Sequence, residues 1–275
     1  MVQFKPSKLL RPDLPTEHDL PSTDGRPVDN ELQLLIPILL RGVLELAWCD
    51  RDDWFLGANI GLYYEPKTPA VGPDAFLALG VPHYREGKDL RLSYVLWQEG
   101  VMPLWVLEIV SDKPGKEYGK KMRLYAELGV LYYTVYNPKH SKRDQHDVFE
   151  MYRLVDGEYV RQQGMPFWMP ELGLGLGVAR GKEYLLPARD WLYWYDEAGN
   201  QYPTKDSVIF QERQRSSRAE LSSEIERQKA EAERQKAEAE RQKAEAERQK
   251  AEAAQREMEQ LLQKLRDRNI DPETL

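Results

Sequence analysis

An α/β domain followed by a long charged helix is the fold class this sequence predicts. Three observations carry that reading. Between Leu104 and Tyr136 two continuous apolar, β-branched runs enclose one segment with helical spacing. Asp156-Gly157 then separates two strand-like stretches, a strong hairpin signal. Finally, nearly all aromatic residues, including all seven Trp, lie before residue 203 and none follows Phe210, so the packed core lies before that point.

The elements follow in order. Residues 1–30 carry many Pro, Asp and Thr and read as an extended arm. Glu31 to Leu46 has helical content, with Pro37 and Gly42 as expected irregularities. Trp54 to Tyr64 and Ala75 to Leu79 read as strands across the turn-rich EPKTPAVGPD. Leu92 to Trp97 and Leu104 to Ser111 are apolar runs, the second continuous enough for a buried strand. Glu117 to Leu128 places Tyr118, Met122, Tyr125 and Leu128 at helical spacing and closes at Gly129. Val130 to Tyr136 is a further buried strand stopped by Asn137-Pro138, and Val148 to Leu154 pairs with Glu158 to Gln163 across the Asp-Gly turn.

From Glu226 to Ala253 the heptapeptide ERQKAEA repeats four times, without Gly, Pro or β-branched residues. With Ala232 at position a, Gln235 falls at d, Glu231 at g and Lys236 at e, a weak seam with correct g–e charge pairing; the alternative Ala230 column, about 200° away, continues into Met258 and Leu265. Met258, Leu261, Leu262 and Leu265 make the end of the chain its stickiest part. Residues 206–275 therefore read as a mostly single helix that associates weakly through its tip, and residues 31–205 as the domain.

Composition narrows the function. The chain of 275 residues has a net charge of −7, and residues 1–205 hold 24 Lys and Arg against 29 Asp and Glu, so no global basic field advertises nucleic acid. No apolar run approaches the ~20 residues needed to cross a bilayer, and the N-terminal stretch MVQFKPSKLLRPDLP is not expected to be a secretory signal. Cys49 is the single cysteine, which excludes an internal disulfide and fits a reducing cytoplasm. His140 and His146 read as solvated loop residues rather than metal ligands. Gly173, Gly175 and Gly177 read as a close-packed strand or turn, since no phosphate-facing helix follows them. Trp191, Tyr193, Trp194 and Tyr195 read as a terminal strand packed on the core.

The candidate chemistry lies around the central strands. Pro73-Asp74 opens one strand, Glu108 sits inside the apolar strand LWVLEIVS, and a basic cluster follows at Lys113, Lys116, Lys120, Lys121 and Arg123. A carboxylate in a buried strand is costly unless paired or metal-bound. Two carboxylates and a strand carbonyl suit Mg²⁺ or Mn²⁺, and a nearby Lys can stabilise charge developing on phosphate.

Pro73-Asp74, EIVSDKPGKEYGKKMRLYAELGVLYYTVYNP, the Asp-Gly hairpin and WMPELGLGLG together resemble the Uma-type restriction endonuclease family of the PD-(D/E)XK nuclease superfamily. The resemblance covers roughly residues 30–200. It implies a restriction-endonuclease-like core, a mixed β-sheet flanked by helices, and a Mg²⁺- or Mn²⁺-dependent endonuclease acting on DNA. It further implies Asp74 and Glu108 as catalytic metal ligands, with the Ile109 carbonyl as a third. The superfamily pattern puts its Lys two residues after the Glu, where this chain has Val110. The family resemblance places it instead at Lys121, with Lys113 and Lys120 as competitors, and leaves Lys113, Lys120 and Arg123 to position phosphates. Glu31 or Glu45 on the first helix is a candidate further ligand. The rival reading is a non-catalytic scaffold that uses the nuclease-like fold and the C-terminal helix for contact with a partner. A second copy of the chain and another protein both remain candidates for that helix; a membrane does not.

Overall fold

The computed structural model describes residues 10–21, 30–85, 87, 89–112 and 116–267. Two compact units divide the chain, Met1–Val208 and Ile209–Leu275.

The first unit is built on a six-stranded mixed sheet in the order β1-β3-β5-β6-β7-β8. Its strands are β1 Trp54–Ala58, β3 Ala75–Leu79, β5 Trp105–Ile109, β6 Tyr132–Tyr136, β7 Phe149–Val155 and β8 Glu158–Arg161. β5 and β6 pair in parallel and every other neighbour is antiparallel. The parallel pair needs a crossover, and the segment from Glu117 to Glu127 supplies it as helix. A three-stranded sheet combines β9 Phe167–Met169, β10 Leu174–Gly181 and β11 Arg189–Tyr195.

Alternation along β5 divides the core into two. Trp105, Leu107 and Ile109 join a cluster with α1 (Leu32–Ala47) and the three-stranded sheet, where Trp105 meets Trp194 edge-on at 5.0 Å. Val106 and Val110 face the other way, into a cluster with Tyr125, Val130 and Tyr133. Glu108 shares that second face.

Several expected elements are cut shorter or reshaped. The run Trp54 to Tyr64 is broken, because Asn59 takes a left-handed φ of 50° and the chain resumes as β2 Leu62–Tyr63. Leu92 to Trp97 yields a two-residue strand, β4 Tyr94–Val95, that turns directly into α2 Leu96–Glu99 and closes on left-handed Gly100. Pro37 does not break α1. Its missing N–H removes the i−4 donor to the Gln33 carbonyl, and the Asn59 side-chain amide donates there at 2.9 Å. Of the N-terminal arm, residues 10–21 are described and anchored to the domain; residues 1–9 and 22–29 lie outside the described residues. Glu17 is buried against Arg85 at 2.7 Å and accepts the Leu92 N–H, while Pro15 accepts the Trp97 indole N–H. The glycines of β10 are close-packed as expected: a Cβ on Gly175 would lie 3.1 Å from that of Tyr195, and one on Gly177 would lie 3.1 Å from Pro166.

Candidate active site

Strand register alone brings the two central carboxylates together. β3 and β5 pair with Ala75 opposite Leu107, so one step further Asp74 stands opposite Glu108 on the same face. Asp74 is 8% exposed and Glu108 1%. The Asp74 Oδ2 accepts the Ile109 N–H at 2.6 Å, taking a strand donor that backbone pairing leaves open.

The crossover helix supplies the counter-charges. It begins as a π turn, Glu117–Lys121, in which the Lys121 N–H reaches back to the Lys116 carbonyl, and continues as α3 Met122–Glu127. Lys121 and Tyr125 lie four residues apart, on one side of the helix. The Lys121 ammonium donates to Glu108 Oε2 at 2.7 Å and to the Gly72 carbonyl at 3.1 Å. The Tyr125 hydroxyl donates to the other oxygen, Oε1, at 2.7 Å. Both oxygens of Glu108 are therefore held by side chains from one helix.

Electrostatics follow from the burial. Loss of water pushes the Asp74 carboxyl well above the usual range, and the like charge of Glu108 adds to the shift against the opposing Ile109 N–H and Lys121. Burial also raises Glu108, with Lys121 and Tyr125 pulling the other way. Burial works against a charge on Lys121, but the adjacent Glu108 carboxylate outweighs it and holds the ammonium protonated beyond the ordinary lysine range. Glu117, buried at the head of the π turn, adds repulsion to both carboxylates.

The remaining candidates fall out differently. The Ile109 carbonyl accepts the Gln33 side-chain amide at 3.2 Å, so α1 reaches the end of β5 through Gln33. Glu31 is exposed at the start of α1, and Glu45 is occupied elsewhere with Arg41 and Lys205. Lys120 and Arg123 are exposed and make no ion pair among the described residues, and Lys113 lies outside them. His140 and His146 are not simply solvated. The first pairs with Asp112 at 2.9 Å; the second stacks on Tyr118 and meets Glu150. Sequence reading missed Tyr125, which counted as core by its helical spacing, and Gln33, whose amide left no charge signal.

Comparison with known proteins decides the family. The family model Uma2, described as "Putative restriction endonuclease", matches residues 25–181.

The chain belongs to the Uma2 family.

No curated protein matches it. Among solved structures it is similar to "a putative nuclease belonging to DUF820" from Anabaena variabilis ATCC 29413, at 14% identity and a TM-score of 0.37, over 53% of this chain and 74% of that one. In this Uma2 protein the matched segment contains Asp74, Glu108, Lys121 and Tyr125 together.

Proposed function

We propose that this Uma2 protein is a metal-dependent DNA endonuclease that hydrolyses phosphodiester bonds. The observation that carries the proposal is Glu108, sealed from water, held by Lys121 and Tyr125, and set across from Asp74. Two carboxylates raised by burial, Asp74 also by the charge of Glu108, are costly beside a single ammonium, and a divalent cation relieves that cost. Carboxylate oxygens beside the Ile109 carbonyl are hard donors suited to Mg²⁺ or Mn²⁺. Among the described residues no group of three His, Cys, Asp or Glu forms a ready-made cage. That fits Mg²⁺, which keeps waters and takes ligands from substrate phosphates.

Asp74 and Glu108 would hold the ion. When bound, it supplies Lewis-acid chemistry, polarising the scissile phosphate and lowering the pKa of an attacking water. The rest falls to this chain's own side chains. Asp74 is fixed through Oδ2 by the Ile109 N–H, which would orient its carboxylate to hold the cation. Tyr125 fixes the Glu108 rotamer by donating to Oε1. Lys121, whose ammonium Glu108 favours, would assist the attacking water or stabilise the charge developing in the transition state. Lys113, Lys120 and Arg123 would hold flanking phosphates. On an acidic domain that binding is weak and sensitive to salt.

The test is cleavage of plasmid and single-stranded DNA by purified protein with Mg²⁺ or Mn²⁺, beside Asp74→Ala, Glu108→Ala and Lys121→Ala. Cleavage dependent on the metal and lost in all three variants is expected. Equal cleavage by wild type and Glu108→Ala would sink the assignment.

A further inference from the structure

The described part of the second unit, residues 209–267, is one uninterrupted helix, part of α4 Lys205–Asp267, and its solvent-facing side chains are not scattered. At ~100° per residue, Phe210, Leu221, Ile225, Ala232, Ala239, Ala246 and Ala253 all fall within roughly 40° of Leu221. Phe210, Leu221 and Ile225 are exposed. The alanine column is thus the continuation of a larger apolar stripe that begins well before the repeats. In heptads with Ala232 at a, Ile225 takes a and Leu221 takes d.

The flanking charges say what covers the stripe. Position g carries Glu224, Glu231, Glu238 and Glu245, and position e carries Lys229, Lys236, Lys243 and Lys250. Among the described residues none of those four lysines makes an ion pair within the chain, nor do Glu231, Glu238 and Glu245. Each Glu precedes a Lys by five residues, a spacing that does not meet on one helix but does meet between two parallel helices in register. Antiparallel helices would instead set Glu against Glu and Lys against Lys.

We propose that this stripe is an interface with a second copy of the chain, forming a parallel, in-register two-stranded coiled coil over residues 221–253. Leu221 and Ile225 are its apolar anchor, and the alanine and glutamine positions form a thin seam that the g–e pairs keep in register. Parallel pairing brings the Lys205 ends of both chains together.

Light scattering on the full chain is expected to give twice the 32.1 kDa chain mass, and Leu221→Glu with Ile225→Glu to return the monomer. Both side chains are exposed, so the variants leave the fold intact. Direction is read in a Cys49→Ser background with Ala232→Cys or Ala253→Cys, two a positions ~30 Å apart along the axis. Each is expected to form a disulfide-linked dimer with its own copy. A monomeric wild type, a dimer unchanged by the Leu221 and Ile225 substitutions, or crosslinking at one or neither cysteine position would overturn the proposal.

Discussion

Glu108–Lys121 and Arg248–Glu252 are ion pairs of nearly equal length, 2.7 and 2.9 Å, in two regions with opposite physics. The first lies between a central strand and the crossover helix, with the glutamate side chain 2% exposed; the second lies on a helix with its arginine 80% exposed. Water screens the exposed pair almost completely, while the buried pair keeps its full Coulomb interaction and pays for it in desolvation. A carboxylate–cation pair is thus a screened surface contact in one region and a buried, costly one in the other.

Breaking the buried pair should have the largest effect. Lys121→Met leaves Glu108 without its cation, and we expect a loss of roughly 2–3 kcal/mol after discounting for the partial exposure of the lysine. Cleavage should fall about a hundredfold or more for a lost electrostatic stabiliser. Urea melts and single-turnover rates measure the two effects separately.

Tyr125→Phe is milder. It removes the hydrogen bond to Glu108 Oε1 while keeping the ring packed in the core. A roughly tenfold loss of activity or of Mn²⁺ affinity is expected, as for residues that orient a metal ligand.

Asp74→Asn should separate stability from activity. The folded state raises the Asp74 pKa, so its protonation contributes stability that is fully present below the unfolded carboxylate range. That contribution is lost as pH rises through the folded value. At neutral to alkaline pH without metal, the variant should therefore melt a few degrees above wild type, with the gap closing toward acid pH, while cleaving no DNA. A scan of melting temperature against pH for both proteins checks the sign. At the small end, Arg248→Ala should change stability by no more than about 0.5 kcal/mol.

Much of this was legible in the sequence. Glu108 stood out because a charge inside LWVLEIVS contradicts its neighbours, and Asp74 because it opens the adjacent strand at a turn. The residues that hold those carboxylates were harder to read. Tyr125 has the spacing of a core residue and is one, with its hydroxyl as the functional part. Gln33 carries no charge, and its approach to the Ile109 carbonyl depends on how α1 docks. The break of the strand at Asn59 and the passage of α1 through Pro37 meet in one contact, the Asn59 amide on the Gln33 carbonyl. That contact joins residues 26 apart, and no local propensity encodes it. In the C-terminal helix the seven-residue repeat was plain, but its chemistry drew the eye to the tip. The upstream anchor at Leu221 and Ile225 emerges once the helix is known to run unbroken from Lys205.

In the proposed mechanism Asp74 and Glu108 form a divalent-metal site in spite of, and because of, their burial. Calorimetric titration of Mn²⁺ into wild type and Glu108→Gln, repeated in buffers of different ionisation enthalpy, tests it most directly. Wild type should bind Mn²⁺ and release protons as the raised carboxyl ionises, and Glu108→Gln should bind none at this site. Equal binding by the two proteins, or none by wild type, would contradict the account.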